Sequence, residues 1–175
     1  MATTNKPVSA EIEALSAVLG TDASQLLDPS VARAWIALLT AYGRVTRALS
    51  SELMDSSGMS LADFDVMAQL VRSEEYRLRM SELADAALIS KSGLTRRIDR
   101  LAVNGWVTRR RCTEDGRVHW ATLTPLGLRA FKGAAPAHLA AVAERFGSAL
   151  PASEMERLTR ALLKIAAKNA EPINS

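Results

Sequence analysis

Residues 77–124, RLRMSELADAALISKSGLTRRIDRLAVNGWVTRRRCTEDGRVHWATLT, constrain the fold more than any other stretch. Two short helical patterns follow each other closely, and the second opens at Ser90-Lys91-Ser92-Gly93. Gly105 then supplies a helix stop, since a residue without Cβ enters the left-handed backbone that ends helices. Trp106 to Cys112 reads as a basic strand, Thr113-Glu114-Asp115-Gly116 as a polar turn, and Arg117 to Leu123 as the returning strand. Helix, helix and an arginine-bearing hairpin, in that order, predict a winged helix-turn-helix with a two-stranded wing. Such a unit lays its second helix in a DNA major groove and extends its wing to the backbone or minor groove.

Charge supports a polyanionic partner. Residues 77–117 hold ten Lys/Arg against five acids, a net +5 in a chain whose total is +3, so the remainder is net −2. Double-stranded DNA is the partner this distribution suits. Other function classes find little footing. There is no Ser/His/Asp set at plausible spacing and no glycine loop of the kind that cradles phosphates, so an enzyme is not expected. One cysteine, Cys112, and two distant histidines, His119 and His138, predict no disulfide framework, no metal site and no cofactor. No apolar run reaches the ~20 residues of a membrane span, and the N-terminus lacks a continuous apolar signal core, so the expected compartment is the cytoplasm.

Outside the reader the chain is helical, giving a mainly α (α+β) class. A disordered tail is expected over 1–9 and a short helix over 10–19, stopped at Gly20. Asp28-Pro29-Ser30 starts a long helix to about Met54. Ser60, with Asp63 three residues on, has a capping-box pattern. Ser81 and Ser90 are expected to cap the two helices of the reader. Thr124-Pro125 opens a helix to about Leu150, and Pro151 the last one, with Leu158, Leu162 and Ile165 on one apolar stripe. The division is therefore dimerisation helices over 10–60, a DNA-binding domain over 61–124 and further dimerisation helices over 125–175. Amphipathic end helices with no sheet to cover, beside a reader of a type that binds paired half-sites, predict a homodimer.

The motifs go further. Met80-Ser81-Glu82-Leu83-Ala84, the run SKSGLTRRIDRL from Ser90 to Leu101, Gly105-Trp106-Val107, Arg110, Asp115-Gly116-Arg117 and Leu123-Thr124-Pro125-Leu126-Gly127 resemble the MarR family of bacterial transcriptional regulators. The helical layout fits from about 30 to 169. The resemblance implies a homodimer on a palindromic operator, usually repressing, and often released by a small aromatic or phenolic ligand, an antibiotic or an oxidant.

At about 100° per residue, Leu94, Ile98 and Leu101 form the buried stripe of the second reader helix. Lys91, Ser92, Thr95 and Arg96 then face DNA, with Arg96 the candidate for a bidentate guanine contact and Ser90 leaving capped amides near a phosphate. Arg117 is expected in the minor groove, and Asp115 is expected to pair with Arg117 or with an arginine of the second reader helix and orient it. Arg109 and Arg111 share one strand face and Arg110 takes the other, with the side towards DNA left open. Arg97, about 60° from the buried stripe, leans inwards and needs an acceptor, for which Asp65 is the natural candidate. That pair reads as a structural ion pair in an ordinary core, or, on the sharper reading, as part of an effector pocket around Trp35, Tyr42, Phe64, Asp65, Met67 and Arg97 that takes an anionic aromatic. Urate-responsive members use an Arg, an Asp and a Trp on an extra N-terminal helix. This chain has the helix but no Trp before Trp35. Peroxide-sensing members place their cysteine in the first long helix, so Cys112 is read as inert. The alternative to a ligand-responsive repressor is a winged-helix module that binds protein, against which Lys91, Arg96 and Arg117 argue.

Overall fold

The computed structural model describes residues 8–22, 26–111 and 118–170. The chain divides into two compact units, Met1–Arg47 and Ala48–Ser175. In the first, helix α1 (Val8–Leu19) begins two residues earlier than the sequence suggests. Val8 and Ser9 are therefore helical, while the rest of the expected tail lies outside the described residues. Helix α2 (Pro29–Ser57) crosses from the first unit into the second. It starts at Asp28, whose carboxylate accepts hydrogen bonds from the Ser30 amide at 2.7 Å and the Ser30 hydroxyl at 2.5 Å. These bonds, the hydroxyl's foremost, hold the Asp28 pKa below the usual carboxylate value.

The second unit holds the core. Helix α3 (Leu61–Arg72) is capped by Ser60, whose Oγ accepts from the Asp63 amide at 3.1 Å. The capping-box expectation is only half met, because the Asp63 side chain is engaged elsewhere. After α3 the backbone takes φ values of 51° at Glu75 and 56° at Tyr76. This reversal leads into a strand absent from the sequence-based expectation, β1 (Arg77–Arg79). Three residues with one apolar side chain, Leu78, are too few to display a period of two.

Helix α4 (Met80–Ala86) follows directly. The Arg79 amide donates to Glu82 Oε2 at 3.1 Å, so Ser81 sits inside the first turn and is not the cap expected of it. Leu88, at φ 53°, carries the left-handed backbone of the helix-turn-helix turn, a conformation costing roughly 1–2 kcal/mol for a residue with Cβ. Helix α5 (Lys91–Val103) opens at Ser90, whose Oγ accepts from the Gly93 amide at 3.1 Å.

Strands β2 (Val107–Arg111) and β3 (His119–Leu123) pair antiparallel, and β1 adds to the other edge of β3 in the order β1-β3-β2. The expected two-stranded wing is thus part of a three-stranded sheet. Ala121 of β3 is opposite Leu78 and Arg109, and Trp120 is opposite Arg79 and Arg110. Side chains alternate along a strand, so Arg109 shares its face with buried Ala121 while Arg110 shares the Trp120 face.

Helix α6 (Pro125–Arg145) ends about five residues short of the expected Leu150, and Pro136 lies within it. Its cap, Thr124, accepts from the Gly127 amide at 2.9 Å and donates to the Gly105 carbonyl at 2.7 Å. Helix α7 (Ala152–Lys168) has Pro151 at its cap. The core combines Leu53, Met59, Phe64, Met67 and Leu70 with Leu83, Leu94, Ile98, Leu101, Val107 and Leu123. It fixes α5 against α3, α4 and the sheet. No described helix is long and apolar enough to cross a membrane.

Candidate nucleic-acid interface

Three faces of α5 have separate tasks. Leu94, Ile98 and Leu101 are completely buried, each worth roughly 1.5–3 kcal/mol relative to exposure. Opposite them Ser92, Arg96 and Val103 are exposed. Among the described residues Arg96 has neither an ion pair nor a hydrogen bond, so its guanidinium is available to a ligand. The Ser90 hydroxyl lies 3.3 Å from that of Ser92, leaving both at the exposed start of the helix.

The second face is the stripe Lys91, Thr95 and Asp99, spaced by four residues and therefore aligned. It looks towards the sheet, where Asp99 Oδ1 is 4.0 Å from Arg109 Nη1. Thr95 donates its hydroxyl to the Lys91 carbonyl at 3.0 Å. The set Lys91, Ser92, Thr95 and Arg96, grouped together by helical angle, is thus divided. Ser92 and Arg96 point straight away from the core, whereas Lys91 and Thr95 line a cleft between α5, the start of α4 and the β2–β3 hairpin. Arg117 and Asp115 of the wing, with Cys112, lie outside the described residues.

The third face corrects an expectation. Arg97 is half-buried, but its ion-pair partner is Asp63, with Nη1 to Oδ1 at 3.5 Å, and not Asp65. Arg100, one turn further on, donates to the same oxygen at 2.5 Å. The spacing explains the choice. Arg97 and Arg100 project together, and Asp63 in the first turn of α3 is buried where both reach it. Asp63 escaped the sequence reading because its position also satisfied a capping pattern, and Arg100 carried no distinguishing signal.

Asp65 remains accessible, yet desolvation pushes its carboxyl above the usual range, opposed by His138, Arg97 and Arg72. Two buried nitrogens in this neighbourhood, Arg97 Nε and His138 Nδ1, lack hydrogen-bond partners among the described residues. The Phe64 ring stacks on Phe131 at 4.6 Å and lies 4.4 Å from the His138 ring. His138 has no motif around it, and it becomes visible only through this packing.

The remaining expected pocket residues are divided between the two units, Trp35 and Tyr42 in the first and Phe64 and Met67 in the second. Phe64 and Met67 are buried core side chains, because α3 packs against α6, α4 and the sheet. Trp35 and Tyr42 belong to the first unit and are exposed, as are Val31, Leu38 and Leu39 on the same helix. On α7, Leu158 is half-buried while Leu162 and Ile165 are exposed.

Comparison with known proteins agrees with this architecture. Residues 57–118 match the sequence profile of the MarR family. A MarR family transcriptional regulator from Streptomyces coelicolor, solved in complex with DNA, is 30% identical and superposes with a TM-score of 0.77, covering 84% of this chain and 91% of that one. AbsC, a MarR family regulator from the same organism, is 32% identical with a TM-score of 0.75, covering 81% and 95% respectively. The HTH-type transcriptional repressor YetL of Bacillus subtilis is 32% identical over 85 residues, 49% of this chain and 51% of YetL.

Proposed function

This chain belongs to the MarR family of transcriptional regulators, and on that basis we propose that it is a homodimeric repressor of duplex DNA released by a small anionic aromatic ligand. The observation carrying the DNA-binding reading is the outward face of α5, where Arg96, unpaired among the described residues, stands beside Ser92 on a helix locked to the core by its opposite side. A guanidinium there can donate two parallel hydrogen bonds to guanine O6 and N7. The DNA-bound Streptomyces coelicolor relative supports duplex DNA as the ligand, and YetL supports repression.

The test starts from duplexes recovered by selection from a random pool. Arg96→Ala is expected to weaken binding to the selected duplex by about 1–3 kcal/mol and to relax base preference at one position in each half-site. Binding to a scrambled duplex should change much less. A variant that binds the selected sequence as the wild type does would remove Arg96 from base recognition.

The ligand response rests on the unpartnered Arg97 Nε and His138 Nδ1, close to a carboxyl that pays for its desolvation, with the Phe64 and Phe131 rings alongside. Buried polar nitrogens without partners are costly, and an aromatic acid would bring an acceptor and a ring together. Such a ligand acts only by favouring one arrangement of the readers over another. Hydroxybenzoates titrated into a preformed protein–DNA complex should release the wild type at lower concentration than Arg97→Ala. Equal release of both proteins, or none, would rule this response out.

A further inference from the structure

We infer that the cleft between α5 and the root of the wing is a seat for a backbone phosphate of duplex DNA, with Arg109 and Lys91 as its cations. This rests on the DNA-binding reading and assigns separate roles to residues that helical angle alone groups together.

The cleft measures about 250 Å³ and is lined by Ser81, Lys91, Thr95, Arg109 and His119, among others, which leaves room for a phosphodiester without rearranging the core. Its cations come from two independent elements. Lys91 is the first residue of α5, and Arg109 stands on the sheet face shared with buried Ala121. Arg109 therefore faces the recognition helix, whereas Arg110, opposite Trp120, faces away from it. Arg79 also borders the cleft, but its guanidinium lies over the Trp120 ring at 5.5 Å and is engaged there.

Arg109 is held loosely. Its contact with Asp99 is 4.0 Å long, and the Asp99 side chain is 63% exposed, so solvent screens the pair. A phosphate entering the cleft would replace a weak, screened partner with a charge-assisted one. The site adjoins the outward Ser92–Arg96 face, on the side where the wing begins. A strand whose bases meet Arg96 would thus present its backbone to Arg109. Contacts to phosphate set position and carry no base preference, so this cleft fixes register while Arg96 reads sequence.

The experiment measures fluorescence anisotropy of a labelled mixed-sequence duplex and of the selected duplex over a salt series, for wild type, Arg109→Gln and Arg109→Lys. Arg109→Gln is expected to weaken both duplexes by the same factor, roughly eight-fold near 0.1 M salt, and to reduce the salt slope by about one. Arg109→Lys should retain the slope, showing that charge is what the site uses. A wild-type slope in Arg109→Gln, or a loss confined to the selected duplex, overturns the phosphate seat and leaves the DNA-binding reading intact. A wild type that binds neither duplex overturns both.

Discussion

One methyl group at Gly127 is expected to destabilise the protein by about 3 kcal/mol or more, a large share of the 5–15 kcal/mol that holds a typical domain folded. A Cβ there would lie 2.1 Å from the Trp106 carbonyl oxygen, 2.8 Å from its carbon and 3.0 Å from Leu123 Cδ1. The obstruction is backbone, and the backbone is fixed from several directions. The Thr124 amide donates to that same Trp106 oxygen at 2.9 Å, and the Trp106 amide donates to the Leu101 carbonyl at 2.9 Å. The end of α5, the start of β2 and the start of α6 therefore meet at this glycine. Relieving the clash must open the seam that sets the recognition helix against the sheet. Gly133→Ala in the same helix is the control, since its Cβ meets nothing within 4 Å. It should stabilise by up to about 1 kcal/mol through helix propensity. Chemical denaturation of both variants checks the contrast, and a Gly127→Ala midpoint equal to that of wild type would show that the seam yields freely.

This seam marks where sequence reading stops. The motif Leu123-Thr124-Pro125-Leu126-Gly127 correctly announced a capped helix, because Ser, Thr and Pro at a helix start act on their immediate neighbours. Ser60, Ser90 and Thr124 all cap as anticipated for the same local reason. Nothing local announces that Gly127 must be glycine to admit the Trp106 carbonyl, since that contact spans 21 residues. The buried stripe of α5 was legible from periodicity, and so was the outward position of Arg96. Its flanks were not. Whether Lys91 faces a base or the wing depends on which way the sheet lies, and that direction is set by register. Asp63 and Asp65 are two residues apart on α3 with equal charge, so only the helix crossing could decide which meets Arg97. The strand at Arg77–Arg79 owes its existence to pairing with β3, a partner more than 40 residues downstream.

Glutamate placed at both Leu158 and Leu162 is expected to abolish high-affinity operator binding without touching the reader. Helix α7 spans 17 residues and buries none of them in the isolated chain, though Met155, Leu158, Leu162 and Ile165 form a single apolar stripe. Leu162 is 36% exposed and Ile165 54%, an arrangement that leaves the stripe to water unless a second copy covers it. The exposed Trp35, Leu39 and Tyr42 on α2 pose the same demand within the first unit. The proposed two-fold dimer would cover such faces and supply the paired readers that a palindromic operator requires. Because the stripe is not part of the chain's own core, the two charges should spare the secondary structure, which circular dichroism can verify. Sedimentation should give a dimer for the wild type at micromolar concentration and a monomer for Leu158→Glu/Leu162→Glu. Losing the second half-site contact removes the gain from bivalency, so operator affinity should fall by roughly 100-fold or more. A wild type that sediments as a monomer, or a doubly charged variant that remains dimeric, would mean that α7 serves some other purpose than joining two copies.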